Sequence, residues 1–338
     1  MVMTWLWVAF TGCVEPPSNP APAFNDPGAL DGSRLLVRWS LDLRGVRPSE
    51  AELDALWEGE TELDDFLDQF LEDERFGDRV MDLYSEKYRT RTEYFTTLLL
   101  AYGADEGHEL WKPLGEEPLR ILREIALHDL PYTELVTGDW TMGTEELASF
   151  WPLESIGEPD SQGWQRMRYT DGRPTVGVLA TNSLWWRYGT TNSNANRGRA
   201  NVISELMLCF SFLDRDVDFN PDLNLLDEEA VKESIKTDPN CMACHVTLDP
   251  LASYLFGFHN VTSGSAVDST VYHPEREAWW DSYTEVTPSF FGEPAPSLSY
   301  LGAQIASDPR FVSCPVEQVT SSLWRRDLAL ADTEALTV

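Results

Sequence analysis

Residues 240–246 read NCMACHV, and the local structure of this stretch decides how the last third of the chain folds. Cys241 and Cys244 stand three residues apart, and His245 follows directly. At this spacing the two thiols lie on one side of a helical turn. The preceding ESIKTDPN is typical of a helix end and a turn. Asp249 and Pro250 have the pattern of the N-cap and first residue of a further helix through LASYLFGF.

Helical periodicity also dominates the rest of the chain. Apolar residues recur at helical spacing in GSRLLVRWSLDLRG (32–45) and TELDDFLDQFL (61–71), and Ser49 with Glu52 predicts a capping box between them. TVGVLATNSLWWRYG (175–189) has mixed signals and favours helix, whereas 156–175 is rich in Gly, Asp and Pro and indicates a loop or a boundary. Few apolar runs alternate with polar residues, and there is no βαβ rhythm. We therefore expect a mainly α, multi-helix fold with irregular loops and few or no strands.

Three helical parts are predicted after the N-terminal segment. They are an N-terminal domain at 31–130, a middle domain at 131–235 and a domain at 236–338 that contains the C-x-x-C-H stretch.

The charge balance excludes one class of partner. The 338 residues include 57 acidic and 25 basic side chains, a formal net charge of −32. Such a surface repels nucleic acid, so we expect no nucleic-acid partner. We interpret the excess of acidic side chains as an aid to solubility. The alternative is that the negative charge steers a basic partner protein toward this one.

The first 30 residues have the composition of an export signal followed by an anchor. MVMTWLWVAF is too short to span a bilayer, and resembles the apolar part of a secretory signal. AFTGC resembles a lipoprotein cleavage site that ends at Cys13, and the Pro-rich VEPPSNPAPAFNDPG suits a spacer. The alternative is a buried N-terminal segment with an ordinary cysteine. The first reading predicts a periplasmic or outer-membrane-anchored lipoprotein held by a lipid on Cys13.

The cysteine count is consistent with export. The chain has five cysteines. If Cys13 is lipidated and Cys241 belongs with Cys244, then Cys209 and Cys314 remain as a candidate disulfide in an oxidising compartment.

The C-x-x-C-H stretch has a direct chemical interpretation as a covalent haem site. Two thiols one helical turn apart can add to the two vinyl groups of one porphyrin, and His245 then supplies the proximal nitrogen to the iron. Three alternatives stay open. They are a thioredoxin-type dithiol, a zinc site completed by His259 and His273, and a structural cysteine pair with no cofactor.

The sixth iron ligand is less defined by the sequence. No methionine follows Met242, so a downstream methionine ligand is excluded. His259, fourteen residues after His245, is the first candidate, and Met207 is the alternative from upstream.

Several blocks of the chain together resemble a known group. The chain is similar to the planctomycete-type cytochrome c family and its neighbouring cytochrome-like domains of unknown function, which are also found in myxobacterial lipoproteins. The resemblance implies an exported protein with a cytochrome-c-like C-terminal part and haem c, and assigns no reaction. It rests on residues 34–56, 70–80, 132–151, 177–209, 238–258 and 311–328, which include Arg197, Cys209, Asp249, Pro250 and Cys314.

Three functions follow as hypotheses. The first is a lipoprotein with one covalent haem that exchanges electrons with a redox partner protein, with Asp249 and Pro250 shaping the turn after the motif and Asp249 orienting His245. The second is a haem-free binding or scaffolding lipoprotein that uses exposed tryptophans in LWWRYG and AWWDSY. The third is a haem peroxidase, which needs an open sixth position on the iron.

Overall fold

The computed structural model describes residues 31–91, 104–214, 223–224, 226–259, 270–329, 332 and 336, without the side chains of 104–112 and 228. The predicted signal, Cys13 and the spacer at 1–30 lie outside these residues. The described part is mainly helical with few strands, which confirms the predicted fold class. Within those ranges, no helix combines the length and the apolar character that crossing a membrane requires.

The helices and strands follow the chain in a regular order. The helices are α1 Gly32–Arg44, α2 Glu50–Glu58, α3 Leu63–Glu72, α4 Glu74–Tyr88, α5 Ala104–Leu127, α6 Glu134–Thr137, α7 Glu145–Ala148, α8 Asn182–Arg187, α9 Arg197–Leu208, α10 Glu228–Thr237, α11 Pro239–Ala252, α12 Trp280–Tyr283, α13 Leu298–Ser307 and α14 Pro309–Trp324. The strands are β1 Thr141–Gly143, β2 Leu153–Ser155, β3 Gln165–Tyr169, β4 Ser289–Phe290 and β5 Glu293–Pro294. Short 3₁₀ segments lie at Gly177–Ala180, Phe212–Asp214, Ser253–Phe258 and Pro274–Trp279.

The first helices begin and end at the residues that local chemistry favours. The Asp31 carboxylate accepts a hydrogen bond from the Arg34 backbone N–H at 2.8 Å, and α1 ends at Gly45, whose φ of 70° suits glycine. Ser49 and Glu52 form both hydrogen bonds of the predicted capping box at the start of α2. The 175–189 stretch is also helical, as predicted, in a 3₁₀ segment followed by α8.

The chain divides into two compact units. The first comprises the described parts of Met1–Lys87, Leu119–Glu134 and Pro315–Val338, and the second those of Tyr88–Pro118 and Leu135–Cys314. Each unit gathers separate stretches of chain, so the predicted boundaries at 130/131 and 235/236 are not tested by this division and stay predictions.

The first unit has an apolar core built from the buried faces of its first helices. Leu36 and Phe70 are almost completely buried in this core. Arg44 is also buried, and its guanidinium lies over the Phe70 ring at 3.6 Å and donates to Glu52 at 2.8 Å. A buried cation is tolerated here because it has both an aromatic face and a carboxylate partner.

The second unit contains a small antiparallel sheet in the order β1-β3-β2. Thr141 pairs with Met167, and Ser155 pairs with the same residue from the other side. The prediction of a loop across 156–175 is therefore wrong at β3. Gly157 and Gly163 do flank a turn. The strand that follows, Gln165–Tyr169, buries the side chains of Gln165 and Met167.

Arg199 ties together the helices around the C-x-x-C-H segment. Its fully buried guanidinium donates to the backbone carbonyls of Trp185, Tyr188 and Phe258. Trp185 lies within α8, Tyr188 directly follows it, and Phe258 ends the Ser253–Phe258 segment, while Arg199 itself lies on α9. Burial lowers the pKa of Arg199 to about 9. These hydrogen bonds replace those that the cation makes with water in the unfolded chain. They fix the position of α9, whose first residue, Arg197, contacts Asp249 on α11.

The predicted disulfide is present. Cys209, at the end of α9, is bonded to Cys314 on α14, with their Cα atoms 5.3 Å apart. This confirms the pairing expected from the cysteine count.

Candidate functional site

The C-x-x-C-H stretch lies in the first two turns of α11. The Asp238 carboxylate caps this helix by accepting from the Asn240 backbone N–H at 2.8 Å, and Pro239 is its first residue. The prediction that Asp249 and Pro250 begin a separate helix after a turn is wrong, because α11 continues through both. Residues 238–250 contain two Asp-Pro pairs, Asp238-Pro239 and Asp249-Pro250, and the earlier pair starts the helix. The Asp249 carboxylate is bound to side chains instead of to backbone N–H groups.

His245 and Asp249 face each other one helical turn apart. The Nδ1 atom of His245 lies 2.8 Å from Oδ1 of Asp249, which is buried. Histidine that ligates a metal usually donates its other ring N–H to such an acceptor. When Nδ1–H donates to the carboxylate, the lone pair of the neutral ring is on Nε2. Within the described part of the chain Nε2 has no hydrogen-bond partner.

Arg197 holds the Asp249 carboxylate from α9. Its Nε donates to Oδ1 at 2.7 Å and its Nη2 to Oδ2 at 2.9 Å. This is a bidentate contact between residues 52 positions apart in the sequence. Burial alone raises the pKa of Asp249, but hydrogen bonds from His245 and Arg197 outweigh it, and the pKa of Asp249 is lowered. The carboxylate therefore stays charged and fixes the orientation of the His245 ring.

A cavity of about 370 Å³ opens beside His245. This is within the size range of small-molecule and cofactor sites. Met242 and Val246, on the cavity side of α11, remain 42% and 68% exposed. The walls come from α9, α10, α11, the last residue of α12 and the segment after it. They comprise Arg197, Lys232, Ile235, Lys236, Met242, His245, Val246, Asp249, Tyr283, Thr284, Glu285 and Val286.

The cationic side chains on these walls are balanced by acidic neighbours. Lys236 contacts Glu285 at 2.6 Å, and Lys232 contacts Glu229 at 3.3 Å. Arg197 is paired with Asp249. Because each cation has its own carboxylate, the cavity walls are close to neutral and partly apolar.

The two cysteines of the motif are free thiols on α11. Cys241 Sγ lies 3.5 Å from the Ser234 hydroxyl on α10, and Cys244 Sγ lies 3.9 Å from the Phe212 carbonyl. Both are partly exposed, and neither forms part of the cavity wall. Cys241 shares a helix face with His245 one turn later, whereas Cys244 is rotated about 100° from it.

This set of groups fits a covalently attached haem. His245 offers an oriented nitrogen with a free lone pair, the cavity beside it is large and partly apolar, and two reduced thiols lie within one turn of it. His245 would hold the iron, and Cys241 with Cys244 would hold the porphyrin edge. The group supplies one-electron chemistry when bound.

The two candidates for a sixth ligand are not brought to this cavity. His259 is completely buried, and its Nε2 lies 3.1 Å from Oδ1 of Asn192. Its ring contacts Tyr283, a wall residue, at 5.2 Å between centroids, but His259 does not line the cavity itself. Burial lowers the pKa of His259 to about 4, so the ring is neutral. Met207 is buried in α9 and also lies off the cavity wall.

Two of the three alternative interpretations of the motif, the zinc site and the thioredoxin-type dithiol, find less support, and the structural cysteine pair stays open. Among the described residues, no three His, Cys, Asp or Glu side chains are grouped in a way that could hold a metal ion by themselves. The motif follows α10 and a one-residue cap, whereas a thioredoxin-type dithiol follows a strand.

The tryptophan pairs that suggested a binding surface are not exposed. Trp185 is buried, and Trp186, Trp279 and Trp280 are half-buried. Trp279 is stacked on Tyr283. The burial of these residues weakens the scaffolding hypothesis, which stays a prediction.

Sequence reasoning identified His245 and Asp249 but missed the role of Arg197 and the walls from α10 and α12. The i, i+4 spacing of His245 and Asp249 was a usable signal for their contact. No local pattern could have indicated Arg197 as the partner of Asp249.

No protein-family model, no curated protein and no solved structure matches this chain. The resemblance to planctomycete-type cytochromes therefore stays a prediction.

Proposed function

We propose that this protein is an exported c-type-cytochrome-like lipoprotein that carries one covalent haem and exchanges electrons with a redox partner protein. Cys241 and Cys244 attach the haem, and His245 is the proximal ligand. The observation that carries the proposal is the His245 ring, held at Nδ1 by a buried carboxylate beside a cavity of about 370 Å³. Electron transfer needs a ligand whose orientation does not change, and this arrangement supplies it.

Two further observations support the same proposal. Met242 and Val246 leave apolar surface open on the cavity side of α11, which an apolar macrocycle would cover. Disulfides persist in oxidising compartments, so the bond between Cys209 and Cys314 suits a periplasmic protein anchored through Cys13 to the outer membrane.

The test is maturation of the full chain in a bacterium with a haem-c assembly system, followed by a pyridine haemochrome spectrum after acid-acetone extraction. We expect the wild type to keep haem through extraction, and the Cys241→Ala/Cys244→Ala variant to keep none. His245→Ala should lose the proximal ligand, whereas His128→Ala, on an exposed histidine, is the matched control and should keep a normal spectrum. Absence of extraction-resistant haem in the wild type would overturn the proposal.

A further inference from the structure

A separate cavity of about 100 Å³ lies within the first compact unit. Its walls come from α1, α4, α5, Tyr132 and α14, and every wall residue belongs to that unit. Most of the wall is apolar, with side chains that include Leu43, Phe76, Leu122, Ile125, Val316 and Leu323. The cavity shares no residue with the candidate site at His245.

This cavity has an open side and a closed back. The wall residues Val80 and Leu83 of α4 are half-buried, and so is Val319 of α14. Leu122 and Ile125 of α5, which are at most 3% exposed, form the closed back. A ligand can therefore enter beside α4 and α14 and bury its apolar surface against α5.

The wall also carries a hydroxyl group whose hydrogen-bonding capacity is unused. Thr320, on α14, is 2% exposed, and within the described part of the chain its Oγ1 has no hydrogen-bond partner. A serine or threonine in a helix commonly donates to a backbone carbonyl of the preceding turn. Ser322 of the same helix does so, at 2.8 Å from the Gln318 oxygen. An unpaired buried hydroxyl is unfavourable, so a ligand that bonds to Thr320 gains from it.

Water is poorly suited to this position. A buried water typically makes about three hydrogen bonds. The other polar residues of the wall are already engaged, because the Tyr84 hydroxyl bonds with Tyr132 and the Asp42 carboxylate accepts from Arg38 Nε at 2.5 Å. A mainly apolar molecule with one polar group matches this wall better than water does.

The charge on the wall favours a neutral ligand. Burial raises the pKa of Asp42, although Arg38 donates to its carboxylate. This carboxylate therefore already lacks part of the water that stabilises an anion. An anionic ligand would place a second negative charge beside it at a further cost in free energy.

We propose that this cavity binds a small neutral alcohol of the size of phenol, with its ring against α5 and its hydroxyl hydrogen-bonded to Oγ1 of Thr320. The volume sets the size, because an apolar protein cavity of about 150 Å³ takes up benzene. At about 100 Å³ with one open side, this cavity accepts a single six-membered ring. The inference is independent of the proposed function, since it involves neither haem nor the residues around His245.

The experiment is isothermal titration calorimetry of the full chain with phenol, benzene and benzoate. We expect saturable binding of phenol at one site. Thr320→Val keeps the shape of the side chain and removes the hydroxyl, so it should weaken phenol binding about tenfold and leave benzene binding unchanged. Thr320→Ser keeps the hydroxyl and should retain phenol binding. Ser322→Ala, on the same helix but off the cavity wall, is the matched control and should change neither.

The melting temperature provides a second measurement on the same variants. Thr320→Val removes a buried hydroxyl without a partner, so without ligand it should unfold at or above the wild-type temperature. Phenol should raise the melting temperature of the wild type more than that of this variant. A ligand-free Thr320→Val that melts well below the wild type would show that the hydroxyl is paired within the folded protein, and would overturn the proposal.

The calorimetric outcomes also decide the ligand class. Absence of saturable phenol binding, or equally strong binding to Thr320→Val, overturns the proposal. Benzoate that binds as tightly as phenol overturns the choice of a neutral ligand. None of these results bears on haem attachment, so failure here leaves the proposed function standing.

Discussion

Replacing Arg197 by methionine tests the contact that fixes the candidate site. The substitution keeps most of the side chain's length and removes both hydrogen bonds to the buried Asp249 carboxylate. Each charge-assisted bond contributes about 1.5–3 kcal/mol, and breaking a buried ion pair typically costs about 3–5 kcal/mol. Asp249 keeps its contact with His245 and can take up a proton, so we place the loss at the lower end, about 3 kcal/mol. That loss is about a hundredfold in the ratio of folded to unfolded protein.

The assay is urea denaturation of the haem-free protein with its disulfide intact, followed by tryptophan fluorescence. Arg168→Met is the matched control, because its pair with Asp139 is largely exposed and should contribute less than about 1 kcal/mol. The double variant Arg197→Met/Asp249→Leu should be less destabilised than Arg197→Met alone, since it removes the buried charge with its partner. A loss of stability in Arg197→Met no larger than in the control would show that the contact between Arg197 and Asp249 does not stabilise the fold.

Three other substitutions test separate parts of the fold. Hydrogen bonds from Arg75 lower the pKa of Asp73 from 3.8 to about 2. Because the Arg75 side chain is half-exposed and solvent screens the pair, we expect Asp73→Asn to reduce the free energy of unfolding by only about 1 kcal/mol at neutral pH. The unfolded chain takes up that proton first as the pH falls, so the cost should vanish between about pH 4 and pH 2; parallel stability curves of variant and wild type would contradict this. Gly302→Ala should lower the melting temperature markedly, at about 1–3 kcal/mol, because its Cβ would lie 2.2 Å from a backbone oxygen of α6, whereas Gly189→Ala meets nothing within 4 Å; equal melting temperatures would be evidence against this packing. Replacing both disulfide cysteines by alanine should cost about 2–4 kcal/mol, and a reducing agent should then destabilise only the wild type in thermal unfolding.

Local signals predicted much of the secondary structure. The capping box of Ser49 and Glu52 and the terminal Gly45 act through neighbouring residues, so the sequence contains all the information that sets those helix ends. The same kind of signal failed at Asp249 and Pro250. A side chain that can cap a helix can also bind a distant guanidinium, and only the tertiary structure decides between them.

The candidate site was only partly predictable for a related reason. The motif and the i, i+4 pair of His245 and Asp249 lie within nine consecutive residues. The cavity depends on packing between α9, α10, α11 and the segment after α12, which no periodicity encodes. For the same reason the sequence suggested His259 from its spacing alone, whereas its burial against Asn192 depends on a contact 67 residues away.

Mass spectrometry of one tryptic peptide shows whether haem is attached at Cys241 and Cys244. Trypsin should release residues 237–276, which contain both motif cysteines and neither disulfide cysteine. From protein matured with a haem-c assembly system, we expect this peptide to carry the added mass of one haem, with fragment ions that place it on Cys241 and Cys244. The same peptide at its unmodified mass, or with the two cysteines joined to each other, would rule out covalent haem attachment at this motif.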